Sequence, residues 1–121
     1  MAKTFGMLFG IVFLAVGILG FVPGITKDDM LLGIFMVNTA HSAVHIASGL
    51  IFLFASMAGA ARLWFKVFGL IYAVVAIMGF VVKDGMIFGY ISNNMNDTWL
   101  HVVLAAAMLL IGFASPKQAA A

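Results

Sequence analysis

The sequence predicts an all-α fold: a four-transmembrane-helix bundle built from two parallel helical-hairpin repeats. Three observations predict it: an extreme apolar composition, four apolar runs of membrane-spanning length, and an internal repeat. The chain of 121 residues is 65% apolar and only 8% charged. A soluble domain carries about a quarter charged residues, and this chain has too few polar groups to cover a water-facing surface. Glu and Cys are absent, which excludes thiolate metal sites, iron–sulfur clusters and disulfides. A formal charge of +2, scattered along the chain, gives no basic patch and excludes nucleic acid as a partner. The expected surroundings are instead a lipid bilayer, with a single integral membrane domain over residues 1–121.

The four runs are Phe5–Val22, Thr39–Ala61, Val67–Val82 (extended at its start by Leu63, Trp64 and Phe65) and Thr98–Ser115. A hydrocarbon core about 30 Å thick needs about 20 helical residues. Helix is required because lipid leaves backbone N–H and C=O groups without partners. Lys3, Arg62, Lys66 and Lys117 fall at one side, whereas Lys27 and Lys83 fall at the other beside Asp28, Asp29 and Asp84. The positive-inside rule then places both termini in the cytoplasm, with the protein integral to a bacterial cytoplasmic (inner) membrane.

Phe9–Val22 and Phe68–Val81 are identical at seven of 14 aligned positions, including Gly10/Gly69 and Gly20/Gly79. The return helices align at a slightly shorter offset, pairing Gly33 with Gly89, Asn38 with Asn94, His41 with Asp97, and His45 with His101. Repeat one spans about residues 5–58 and repeat two about 64–115. Each is one helix out, an outer loop and one helix back, so the halves are parallel repeats. The loops are apolar, and Met30–Met36 and Met86–Ile91 are expected as short interfacial segments.

Few residues can carry chemistry. Asn38, His41 and His45 are spaced i, i+3, i+7, and so are Asn94, Asp97 and His101. Such positions share one helical face. Ser48, Gly49 and Ser56 continue one polar stripe, and Gly112 and Ser115 the other. Asn38 and Asn94 sit where the return helices begin and are expected as N-caps, with Asp97 completing a capping box. His41, His45 and His101 have a bland reading as interhelical hydrogen-bonding groups and a sharper one as ligands. Two cofactor arrangements follow. His45 and His101 suit the axial positions of haem b or a chlorin pigment, whereas His41, His45, Asp97 and His101 form an N3O set for a transition metal. Tyr72 stands alone in its helix. No catalytic constellation is present, so enzymatic activity is not expected.

Three segments carry a resemblance: Gly17-x-x-Gly20-Phe21; Gly33-Ile-Phe-x-Val-Asn38-x-x-His41-x-x-x-His45; and Asp97-x-x-Leu-His101. Together the sequence resembles a bacterial family of small four-span membrane proteins, uncharacterised and defined only as a domain of unknown function. The resemblance covers nearly the whole chain, implies the four-helix fold and supplies no activity. The expected function is a structural or accessory subunit of a larger membrane complex or a homo-oligomer, its polar cluster locking the helices. The alternative is a haem-, metal- or pigment-binding protein using His45 and His101. A small transporter or channel ranks third, because both prolines lie at helix ends and no span is broken.

Overall fold

The computed structural model describes residues 1–82 and 85–116. Lys83, Asp84 and Lys117, which enter the charge argument for orientation, lie outside the described residues. Four helices dominate: α1 (Ala2–Leu19), α2 (Thr39–Met57), α3 (Ala61–Val81) and α4 (Met95–Ala114). All four are long and apolar enough to cross a membrane. At about 1.5 Å per residue they measure about 27–32 Å. Their outer faces expose Leu8, Ile11, Val74 and Leu110, as lipid-facing surfaces do.

The helix boundaries have local causes. The first apolar run continues to Val22, yet α1 stops at Leu19, where the Thr26 hydroxyl donates to the Leu19 carbonyl (2.9 Å). Helix α2 ends at Met57 because Gly59 takes φ +78° and the Ala60 N–H turns back to Ala55 O (2.7 Å). Glycine at this position closes a helix without a Cβ penalty. Helix α3 begins at once at Ala61, making the α2–α3 turn short.

The segments that the sequence marks as interfacial, in the loops between α1 and α2 and between α3 and α4, form short antiparallel β-strands. Strands β1 (Thr26–Lys27), β2 (Met30–Leu31) and β3 (Phe35–Met36) form one antiparallel sheet, and β4 (Met86–Ile87) and β5 (Ile91–Ser92) another. The reversals use left-handed backbone at Leu32 and Gly33 (φ +54° and +71°) and again at Phe88 and Gly89 (φ +56° and +73°). Leu31 and Ile87 point inward and are buried.

Several of these features recur at aligned positions of the two halves. Leu31 pairs with Phe35 as Ile87 pairs with Ile91. The Asn38 amide donates to Tyr90 O (2.8 Å), and the Asn94 amide donates to Ile34 O (3.1 Å), so each half's cap reaches the other half's hairpin. Within each half the helices approach through glycine: Gly10 faces Leu53 as Gly69 faces Leu109, and Gly20 faces Ser42 as Gly79 faces Thr98. Close approach through small residues is the usual basis of membrane helix packing. Helix α1 packs mainly on α2, and α3 on α4. Between the pairs lies an aromatic core of Phe13, Phe52, Phe65, Phe68 and Tyr72 with Met108. Phe9 meets Phe65 edge-on at 5.1 Å between centroids.

Candidate functional site

The site begins at the caps. Asn38 is extended, and its Oδ1 accepts the His41 N–H at 2.8 Å. Asn94 does the same for the Asp97 N–H, also at 2.8 Å. The Asp97 carboxylate accepts the Asn94 N–H at 3.0 Å, completing a capping box. Capping sets where each return helix starts, and therefore which face carries the residues one and two turns later.

That face brings three imidazoles together. His41, His45 and His101 are each buried, and one ligand atom from each lies within 4.8 Å of the others. The His41 ring centroid is 4.6 Å from that of His45 and 5.8 Å from that of His101. The triad is thus assembled from both return helices. Aromatic rings wall it: Phe13 lies 5.8 Å from His45, and Tyr72 5.6 Å from His101. The Nδ1 atoms of all three histidines are buried with no hydrogen-bond partner. An unpartnered buried polar group costs about 1–3 kcal/mol, so three in one place call for an account.

Of the sequence-predicted residues, the triad takes His41, His45 and His101 but leaves out Asp97. That carboxylate is turned to the Asn94 N–H and lies against the Met36 backbone, so it caps α4, as its capping-box spacing suggests, and does not join the histidines as a fourth ligand. The reason is geometric: at the third position of its helix, a short Asp side chain reaches back to the cap amide and not across the bundle. Asn38 and Asn94 are caps, also placed away from the triad.

Sequence reasoning misses Tyr72, which has no polar neighbour in its own helix. In the structure its hydroxyl pairs with Ser48 Oγ at 3.0 Å, tying α3 to α2 beside the triad. A usable signal is present: Tyr72 aligns with Phe13 in the repeat, and each ring sits against its own half's histidine.

The outer end of the site is closed by the hairpins, with the backbones of Met36 and Ser92 against the His41 ring. The lateral side is different. A groove of about 390 Å³ runs between α1 and α4, walled by Phe9, Val12, Phe13, Val16, Leu100 and Leu104, and His45 reaches its floor.

Imidazole binds transition metals at about 2.0–2.1 Å, which sets three ligand nitrogens about 3.3–3.5 Å apart. The present spread of at most 4.8 Å would have to narrow to that value for all three to share one ion. No base–nucleophile pair accompanies the triad among the described residues; the Ser48–Tyr72 pair is two hydroxyls bonded to each other.

No curated protein and no solved structure matches the chain. A family match covers residues 3–114, nearly all of the four-helix bundle and every member of the histidine triad. The chain therefore belongs to the family described as Domain of unknown function (DUF4383).

Proposed function

We propose that this protein is a membrane-embedded metal-binding protein, in which His41, His45 and His101 hold one transition-metal ion about two turns below the outer helix ends. The observation that carries the reading is the convergence of three buried imidazoles whose Nδ1 atoms have no partner. Interhelical bonding alone would be expected to satisfy those atoms, and an ion that accepts their lone pairs removes the deficit. Polar groups inside a membrane are costly and generally mark function.

Metal analysis of the purified full chain, loaded with copper, nickel, cobalt or zinc and then desalted, tests the reading. The expected result is about one equivalent retained, lost in the double variant His45→Leu/His101→Leu and kept in Asn96→Ala. A wild-type chain that retains none of the four overturns it.

The accessory-subunit reading is second, and the Ser48–Tyr72 bond favours it, since that bond ties two helices together without any ligand. We place the protein in the bacterial cytoplasmic membrane with both termini inside. Lys3, Arg62 and Lys66 cluster at one end of the bundle, with no acid among the described residues there. A reporter fused after Ala121 should read out on the cytoplasmic side, and an outer-face signal reverses the orientation. The two halves are read as parallel repeats, supported by the reciprocal Asn38 and Asn94 bonds.

A further inference from the structure

We infer that the triad selects a monovalent, three-coordinate ion, copper(I), over zinc and other divalent metals. This rests on the reading above that the triad holds a metal.

The first argument is charge. Three neutral imidazoles bring no negative charge to the ion. Glu and Cys are absent from the chain, and Asp97, the nearest acid along the return helices, is one turn away from His101 and is occupied as a cap. With Asp97 ionised, a monovalent ion leaves the buried group neutral and a divalent ion leaves one net charge. With Asp97 protonated the totals are one and two. The cost of placing charge in an apolar interior rises as its square, so the monovalent ion is favoured in both cases.

The second argument is coordination number. Zinc takes four ligands, and a three-histidine zinc site keeps water or an anion in the fourth position. Here the space beyond His45 is the groove between α1 and α4, whose other walls are apolar side chains. The hairpins close the outer side. The Tyr72 hydroxyl, which stands nearby, is already paired with Ser48. Among the described residues, no fourth His, Cys, Asp or Glu atom joins the three. Copper(I), with a filled d shell, is stable with two or three donors, and imidazole is an accepted ligand for copper.

The test uses the full chain in lipid nanodiscs. Copper(I), kept reduced under anaerobic ascorbate, is titrated against bicinchoninate, and zinc against a chromophoric chelator. The expected result is one copper(I) per chain, bound at least about 100-fold more tightly than zinc, a ratio large enough to count as selection. X-ray absorption should show three nitrogen neighbours and no fourth light atom. Asp97→Asn, which keeps a capping side chain, should widen the preference, because Coulomb attraction to a carboxylate scales with ion charge. Zinc binding within about tenfold of copper(I), or a fourth ligand on copper, sinks this inference and leaves the metal-binding reading standing. An Asp97→Asn chain that shifts toward zinc overturns it as well. Failure to bind either ion sinks this inference, and the metal-binding reading then falls only if nickel and cobalt are not retained either.

Discussion

Gly49 is the position where one methyl group should cost the most. It lies one turn beyond His45 on α2 and faces the backbone of α1. A Cβ added there would sit 2.7 Å from the Gly10 carbonyl oxygen and 2.8 Å from the Leu14 nitrogen. Both obstacles are main chain, so no side-chain rotation relieves them. Ordinary contact begins near 3.4 Å, and Gly49→Ala must therefore spread α1 from α2 by about 0.7 Å. Overpacking of this kind costs about 1–3 kcal/mol, against which the better helix propensity of Ala returns about 1 kcal/mol. Because both obstacles are main chain, the upper part of that overpacking range, about 2–3 kcal/mol, applies, and the expected net loss is about 1–2 kcal/mol, read by equilibrium unfolding in mixed micelles. Spreading also moves Phe13, which leans on His45, so metal affinity should fall in the same variant. The aligned position in the other half is Ala105, which is buried and already carries its Cβ; Ala105→Gly should cost only about 0.5–1 kcal/mol. If Gly49→Ala unfolds with unchanged free energy, the close approach of α1 to α2 is incidental, and backbone packing at this crossing contributes nothing to stability.

Three further outcomes follow from single residues. Asn94→Ala loses the cap to Asp97 N and the bond to Ile34 O, and should destabilise by about 1–2 kcal/mol, whereas a loss near zero would show that neither bond matters. Tyr72→Phe leaves Ser48 Oγ unpaired and should cost about 0.6 kcal/mol, the mean for such bonds in membranes; a loss above about 2 kcal/mol would assign the hydroxyl a larger part than one hydrogen bond. Leu32 is exposed at φ +54°, so Leu32→Gly should relieve about 1 kcal/mol of left-handed strain, and a destabilised variant would mean that the exposed side chain is an anchor.

The helices are legible in the sequence because their cause is local. A run of about 20 apolar residues has one stable fate in lipid, and Asn38 and Asn94 mark their helix starts in the sequence itself. The meeting of His41 with His45 is legible as well, since a spacing of four residues puts them on one face. The hairpins are not. Their reversals place Leu32 and Phe88, bulky residues, in left-handed backbone that local preference opposes. What holds them there is tertiary: Leu31 and Ile87 bury beneath, and Asn38 and Asn94 clasp the hairpin of the opposite half. The groove between α1 and α4 is equally invisible in the sequence, because it comes from how far apart two helix pairs stand and not from any one helix's pattern. Asp97 takes the capping role and not the ligand role for a related reason. It lies on the face that its spacing predicts, but a side chain at the third position of a helix has a partner closer than the bundle centre.

The matched and unmatched positions of the two halves fall in different places, and that division bears on function. Positions that set the scaffold agree: Gly10 with Gly69, Gly20 with Gly79, Asn38 with Asn94, and the hairpin glycines Gly33 with Gly89. Positions around the imidazoles differ: His41 faces Asp97 in the alignment, Phe13 faces Tyr72, Ser48 faces Leu104, and Gly49 faces Ala105. A stripe that served only to hold helices together would work as well with both halves alike, since the same contacts would form twice. The differences instead produce three histidines where like halves would give two or four. They also provide one hydroxyl pair beside the triad and a groove on the α1–α4 side, with His45 at its floor. Three donors and one open side are what the proposed metal site would use, whereas a lock would have no use for the opening.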